Sequence, residues 1–166
     1  MKMLLTLSLI LLFLASGCTP GGSGVDINTS GIFSPVLFSI DNKDADGKTL
    51  DIGEHVLTDD PRPLLIQVHN DTKYPYTDID LVITADGDNV PSITFVPTPE
   101  GEIKFPGFEG TCGRTLAPGA TCTIKTVFAP RDERRYFETL TLNFNNYVKP
   151  ETHFANIKVI AGMPAL

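Results

Sequence analysis

The sequence predicts an all-β fold, an immunoglobulin-like β-sandwich of seven to eight strands. Three observations predict it. Apolar residues recur at every second position in short runs, the spacing that turns one side of a strand to a core and the other to water. Turn residues separate those runs. Thirteen prolines and fourteen glycines are spread along 166 residues. No ten-residue stretch carries a helical apolar stripe, so long helices are disfavoured.

Taken in order, the segment from Thr19 to Ser30 is rich in Gly and Ser and reads as a flexible tether, with Cys18, over residues 18–30. The sandwich is expected over residues 31–166. Its first clear strand places Leu64, Ile66 and Val68 on one side and Leu65, Gln67 and His69 on the other. A turn follows at Asp71-Thr72-Lys73-Tyr74-Pro75. Ile79, Leu81 and Ile83 make the next strand, closed by Ala85-Asp86-Gly87-Asp88. After the Pro118-Gly119 turn, Cys122, Ile124 and Phe128 share one parity against Thr123, Lys125 and Val127. Leu140, Leu142 and Phe144 alternate with Thr139, Thr141 and Asn143. Ala155, Ile157 and Val159 close the series. Trp is absent, so the Cys–Trp–Cys core of antibody domains is missing.

The first residues read differently. Lys2 is followed by an apolar stretch from Leu4 to Leu14 and then by Ala15-Ser16-Gly17-Cys18. A run of about eleven apolar residues is too short to span a bilayer, which takes about twenty. The layout is that of a cleaved export signal over residues 1–17. Its end resembles the lipobox of bacterial lipoproteins, in which the cysteine thiol is acylated. Lipoboxes mostly carry Leu where Ala15 stands; Leu14 is one place earlier. The resemblance implies lipidation of Cys18 and attachment to a membrane through that lipid. Thr19 is not the Asp associated with inner-membrane retention, which implies the outer membrane in a Gram-negative envelope.

Removing residues 1–17 takes away Lys2 and leaves 12 basic against 20 acidic side chains, a balance of −8. An acidic surface argues against nucleic acid and against electrostatic adhesion to anionic lipid. One domain with a real core fits the remaining length. Besides Cys18, only Cys112 and Cys122 are present. In an exported protein such a pair reads as a disulfide. Nine intervening residues and a Pro-Gly turn do not suit a redox or metal pair.

Residues 112–160 carry a second resemblance. Cys112, then Leu116-Ala-Pro118-Gly119, then Cys122 and a strand ending Phe128-Ala-Pro130, is similar to the end of bacterial choice-of-anchor D domains. Those in turn resemble ASH-type immunoglobulin-like modules. Leu140-Thr-Leu142-Asn-Phe144 looks like the family's following strand. Leu64-Leu-Ile66-Gln-Val68-His-Asn70 looks like the strand that leads to an Asn at a turn. Where the family has Gly after Phe-x-Pro, this chain has Arg131-Asp132-Glu133-Arg134-Arg135. The resemblance implies scaffolding and binding.

Motifs for chemistry are absent. His55, His69 and His153 stand far apart in sequence and read as surface or strand-end residues. No nucleophile elbow, phosphate loop or paired-carboxylate motif is present. Asn42-Lys-Asp44-Ala-Asp46-Gly47 copies the first half of a calcium loop, but the bidentate acid due at position 53 is Gly53; a polar turn is the better reading. Tyr74 and Tyr76 flank Pro75 in a loop. They read either as anchors for a partner or as rings packed across the end of the sandwich.

The expectation is a membrane-anchored envelope lipoprotein, not an enzyme, that acts as a binding or scaffolding module for a protein partner in the envelope. It takes no cofactor, metal, nucleic acid or small-molecule substrate. The alternative is a surface adhesin that recognises a host, prey or glycan ligand.

Overall fold

The computed structural model describes residues 37–87, 89–147 and 149–162. The expected signal segment, the lipidation site Cys18 and the tether lie outside the described residues. The described chain is all-β. Its strands are β1 (Phe38–Ile40), β2 (Lys43–Asp44), β3 (Thr49–Val56), β4 (Arg62–His69), β5 (Tyr76–Ala85), β6 (Ile93–Phe95), β7 (Thr115–Leu116), β8 (Thr121–Phe128), β9 (Arg134–Asn146) and β10 (Lys149–Gly162). One sheet has the order β2-β1-β4-β8-β6 and the other β3-β10-β9-β5-β7. From β2 to β9 the chain changes sheet at every step, which lays the two sheets face to face as an immunoglobulin-like sandwich. Eight of the ten strands are three residues or longer; β2 and β7 are two-residue additions.

The alternations seen in the sequence fill the space between the sheets. Leu64, Ile66 and Val68 of β4 meet Thr126, Ile124 and Cys122 of β8 in antiparallel register, and all six are buried. Across the sandwich lie Leu140, Leu142 and Phe144 of β9 and Ala155, Ile157 and Val159 of β10, each no more than 2 % exposed. Thr126 occupies a core position without an orphaned hydroxyl, because its Oγ1 donates to Leu64 O at 3.2 Å.

Three strands carry no clear alternation. β1 and β6 have three residues each, too few to show a period. β3 is a half-exposed edge strand, parallel to β10, in which Gly53 stands at φ 85°.

Asn70 ties the turn region together. It directly follows β4 and is fully buried. Its Nδ2 donates to Tyr74 O at 2.8 Å and to Leu116 O at 3.0 Å, while its Oδ1 accepts from Thr72 N and Thr72 Oγ1. Its backbone N donates to Ala120 O, and its backbone O accepts from Gly119 N at 2.7 Å. The turn it holds is Ala117-Pro118-Gly119-Ala120, closed by Ala120 N on Ala117 O with Gly119 at φ 71°. Pro followed by a left-handed Gly suits that turn.

The expected disulfide is present. Cys112 and Cys122 are bonded and buried, with Cα atoms 4.8 Å apart. Closing so short a loop is worth roughly 3 kcal/mol in the chain-entropy account. The segment before Cys112 lies along β8: Lys125 N donates to Pro106 O, and Thr111 N and Cys112 N to Thr123 O. The approach at Gly107 is so close that an added Cβ would stand 2.0 Å from Lys125 O. The strand end expected at Pro130 falls at Phe128. In the charged run after it, Tyr136 Oη donates to Asp132 O at 3.0 Å and Arg134 covers the Tyr136 ring at 4.5 Å. This tyrosine, bonded back to the chain upstream at the start of a strand, is a corner device of immunoglobulin-like sandwiches.

Asn70→Ala strands Tyr74 O and Leu116 O in a buried site. It is expected to cost about 3 kcal/mol and to lower the melting temperature by about 10 °C in a domain of this size. Calorimetry of the purified chain checks this; a drop of only a degree or two contradicts it.

Candidate functional site

One end of the sandwich brings two exposed tyrosines together. The loop after Asn70 carries Tyr74, and the β9–β10 hairpin carries Tyr147. The two rings stack with centroids 4.4 Å apart and planes 11° off parallel. Tyr74 is 47 % exposed and Tyr147 74 %. Tyr76 does not share that surface, which corrects its place in the candidate loop. It is the first residue of β5, is 1 % exposed and stacks on Phe144 at 4.0 Å. Strand alternation explains the split: β5 turns Tyr76 inward, whereas Tyr74 precedes the strand. The Tyr76 hydroxyl donates to Asp71 Oδ1 at 3.2 Å. Burial, then the neighbouring Asp71 carboxylate, pushes it well above the ordinary tyrosine value. Of the two sequence readings, Tyr76 takes the packing one and Tyr74 stays on the surface. Tyr147 was missed because a lone aromatic in a hairpin turn has no periodic signal; only the fold brings it onto Tyr74.

The Asn42–Gly47 segment forms a β1–β2 hairpin and the start of the crossing to β3. Asp44 pairs with Lys48, which holds its carboxyl below the usual range. Asp46 Oδ2 meets His153 Nδ1 at 2.9 Å, and His153 Nε2 lies 3.5 Å from Glu151 Oε2. The His153 ring stacks on Phe144, continuing the Tyr76–Phe144 stack. Of the oxygens that resembled calcium ligands, that of Asp46 ties the segment to β10 through His153, and that of Asp44 pairs with Lys48. Of the other histidines, His55 is buried edge-on against Phe128, and His69 Nδ1 meets Thr121 Oγ1 at 2.9 Å.

A buried carboxylate went unnoticed in the sequence. Glu138 on β9 is 2 % exposed. Its two oxygens accept from Ser92 N at 2.5 Å and Ile93 N at 2.8 Å, at the start of β6 in the opposite sheet. Burial pushes this carboxyl above its ordinary value, against the two N–H donors and Arg134, which pull it down. Both oxygens are spent on backbone, so the geometry describes a clamp between sheets.

No family model matches the chain, and no curated protein matches it. Solved structures do. The VesB protease of Vibrio cholerae is 12 % identical, with TM-score 0.47 over 75 % of this chain and 32 % of that one. A family 123 glycoside hydrolase of Clostridium perfringens is 11 % identical, with TM-score 0.44 over 71 % and 24 %. The ASH/PapD-like domain 7 of human CEP192 is 11 % identical, with TM-score 0.41 over 88 % of this chain and all of that one. The chain thus spans about a third or less of the two enzymes. These findings correct one expectation: a protease and a glycoside hydrolase contain regions of similar shape, so the exclusion of an enzyme is withdrawn. The likenesses assign no activity to the chain.

The Glu138 clamp makes a pH prediction. Its folded-state value lies above the unfolded one, so its contribution is complete below about pH 4.3 and is lost as pH rises through the folded value. Melting curves of wild type and Glu138→Gln from pH 4 to pH 7 should show wild type losing ground to the variant as pH rises. A gap that stays constant contradicts the assignment.

Proposed function

We propose that the chain is a lipid-anchored lipoprotein of the bacterial envelope whose sandwich is a binding or scaffolding module, with the Tyr74–Tyr147 pair as its contact surface. The stacked, exposed pair carries the reading. Most exposed apolar side chains stand singly and need no explanation. Two rings that hold each other parallel at the surface offer large contact area already ordered before a partner arrives, so little conformational entropy remains to be lost. Loops at the ends of a sandwich are free for partners, whereas the inner strand faces are committed to the core. The anchor is supported by the Leu14-Ala-Ser-Gly-Cys18 segment. Among the described residues no helix is long and apolar enough to cross a membrane.

The partner proposed is an envelope protein. A second reading, a surface adhesin, is favoured by the outward face of Tyr147, a flat ring of the kind on which a sugar also stacks. Protease treatment of intact cells separates the two, since only an outward-facing adhesin is cleaved.

Two outcomes are expected. Tyr147→Ala and Tyr74→Ala should each weaken co-purification of the partner from solubilised membranes by about tenfold, the scale of an aromatic anchor worth more than 1 kcal/mol, with the melting temperature within about 2 °C of wild type. Binding that falls only in step with stability refutes the contact surface. Separately, Cys18→Ser should release the chain from the membrane pellet; a processed variant that stays in the pellet refutes the lipid anchor.

A further inference from the structure

The sheet edges are guarded unequally. β3 is an edge strand interrupted by a bulge opposite Lys158–Ile160 and by Gly53, and Arg62 Nη1 caps its Ile52 carbonyl. Beyond β6, the edge of β8 is occupied by the segment ending at Cys112. β5 differs. One side pairs with β9 as far as Ala85. The other meets β7 only at Tyr76 and Thr77, and then Arg114 O, which accepts from Ile79 N at 3.3 Å. From Asp80 to Ala85 no described strand covers that side.

The chemistry of this free stretch suits pairing. Ile79 N–H points away from β9, so by alternation the N–H and C=O groups of Leu81 and Ile83 point the same way. Asp80-Leu-Val-Ile-Thr84 holds three β-branched residues, no Pro and no Lys, the devices that usually blunt an edge.

We propose that β5 pairs side-on with β5 of a second copy of this chain. The segment is self-complementary about Val82. In antiparallel register, Val82 stands opposite Val82, Leu81 opposite Ile83, and Asp80 opposite Thr84. Core-facing side chains then neighbour core-facing ones, and within the paired stretch Asp80 opposes Thr84 rather than its own counterpart. Leu81 and Ile83 exchange backbone hydrogen bonds in both directions, four in all. Val82, 42 % exposed, is covered by its own counterpart at the two-fold axis. Where the paired stretch ends, the same register carries Asp86 of the second copy to the level of Asp78, beside the Arg114 guanidinium that separates the two carboxylates. Arg114 lines a groove of about 610 Å³ with Asp78, Asp80, Lys104 and Phe105. It forms no ion pair among the described residues. An isologous contact of this kind closes on itself and leaves a pair rather than a fibre.

Cysteine scanning in the full-length chain tests the register, because directly opposed residues of a non-hydrogen-bonded pair come close enough to bridge. Asp80, Val82 and Thr84 are exposed, so Cys is tolerated at each. Val82→Cys should run at twice the monomer mass without reductant and return to monomer with it. Asp80→Cys alone and Thr84→Cys alone should stay monomeric, and the two co-expressed should give the dimer. A monomeric Val82→Cys overturns the proposal. So does a dimer formed as readily by either flanking variant alone, or an adduct of Val82→Cys with a different protein.

Discussion

The structure depends on one buried amide. Asn70 takes a strand that has just left the core and holds three other pieces of chain around its end: the loop through Tyr74, the short strand at Leu116 and the turn before β8. Every donor and acceptor of its side chain is used, so burial costs little and the geometry is fixed. That knot sets where β8 begins. It therefore also sets where Cys122 meets Cys112 and how the preceding segment lies against Lys125. The disulfide and the close approach at Gly107 are consequences of a turn already held in place. Tyr74, kept at the surface by the same loop, gains its position from Asn70 as well.

What the sequence reveals depends on how local the cause is. The β4 run Leu64–Val68 and the β9 run Leu140–Phe144 show their burial because period two is written in adjacent residues. The pair Cys112 and Cys122 is legible for the same reason: the bonded residues are ten apart. Tyr76 and Tyr74 look equivalent in sequence. Their fates diverge at the first residue of a strand, a boundary that one-residue spacing does not mark. Tyr147 joins Tyr74 only through the fold. Glu138 sits at a core parity that alternation assigns to an apolar residue, and its justification is two backbone N–H groups about 45 positions away. β3 hides because its half-exposed residues show no clean alternation and its partner strand β10 lies about 107 residues away.

Polar groups inside the sandwich share a logic. Thr126 and Glu138 bond to backbone, and Asn70 bonds to backbone at three of its four side-chain hydrogen bonds, the fourth coming from Thr72 Oγ1. Backbone partners are placed by the sheets themselves, so these groups add directional ties without a separate network that must be satisfied as a unit. Glu138 joins opposite sheets, Thr126 joins neighbours in one sheet, and Asn70 joins a sheet to its turns. An apolar core alone would leave the offset between sheets less sharply defined.

The parallel pairing of β3 with β10 has a temporal side. β3 has no other strand neighbour, and its register partners lie about 107 residues further along, as in the Asp51–Lys158 ion pair. Nothing made earlier can take that place. A chain emerging from its N-terminal end therefore carries an unsealed sheet until the final strand arrives. Such delayed closure raises the contact order and slows folding.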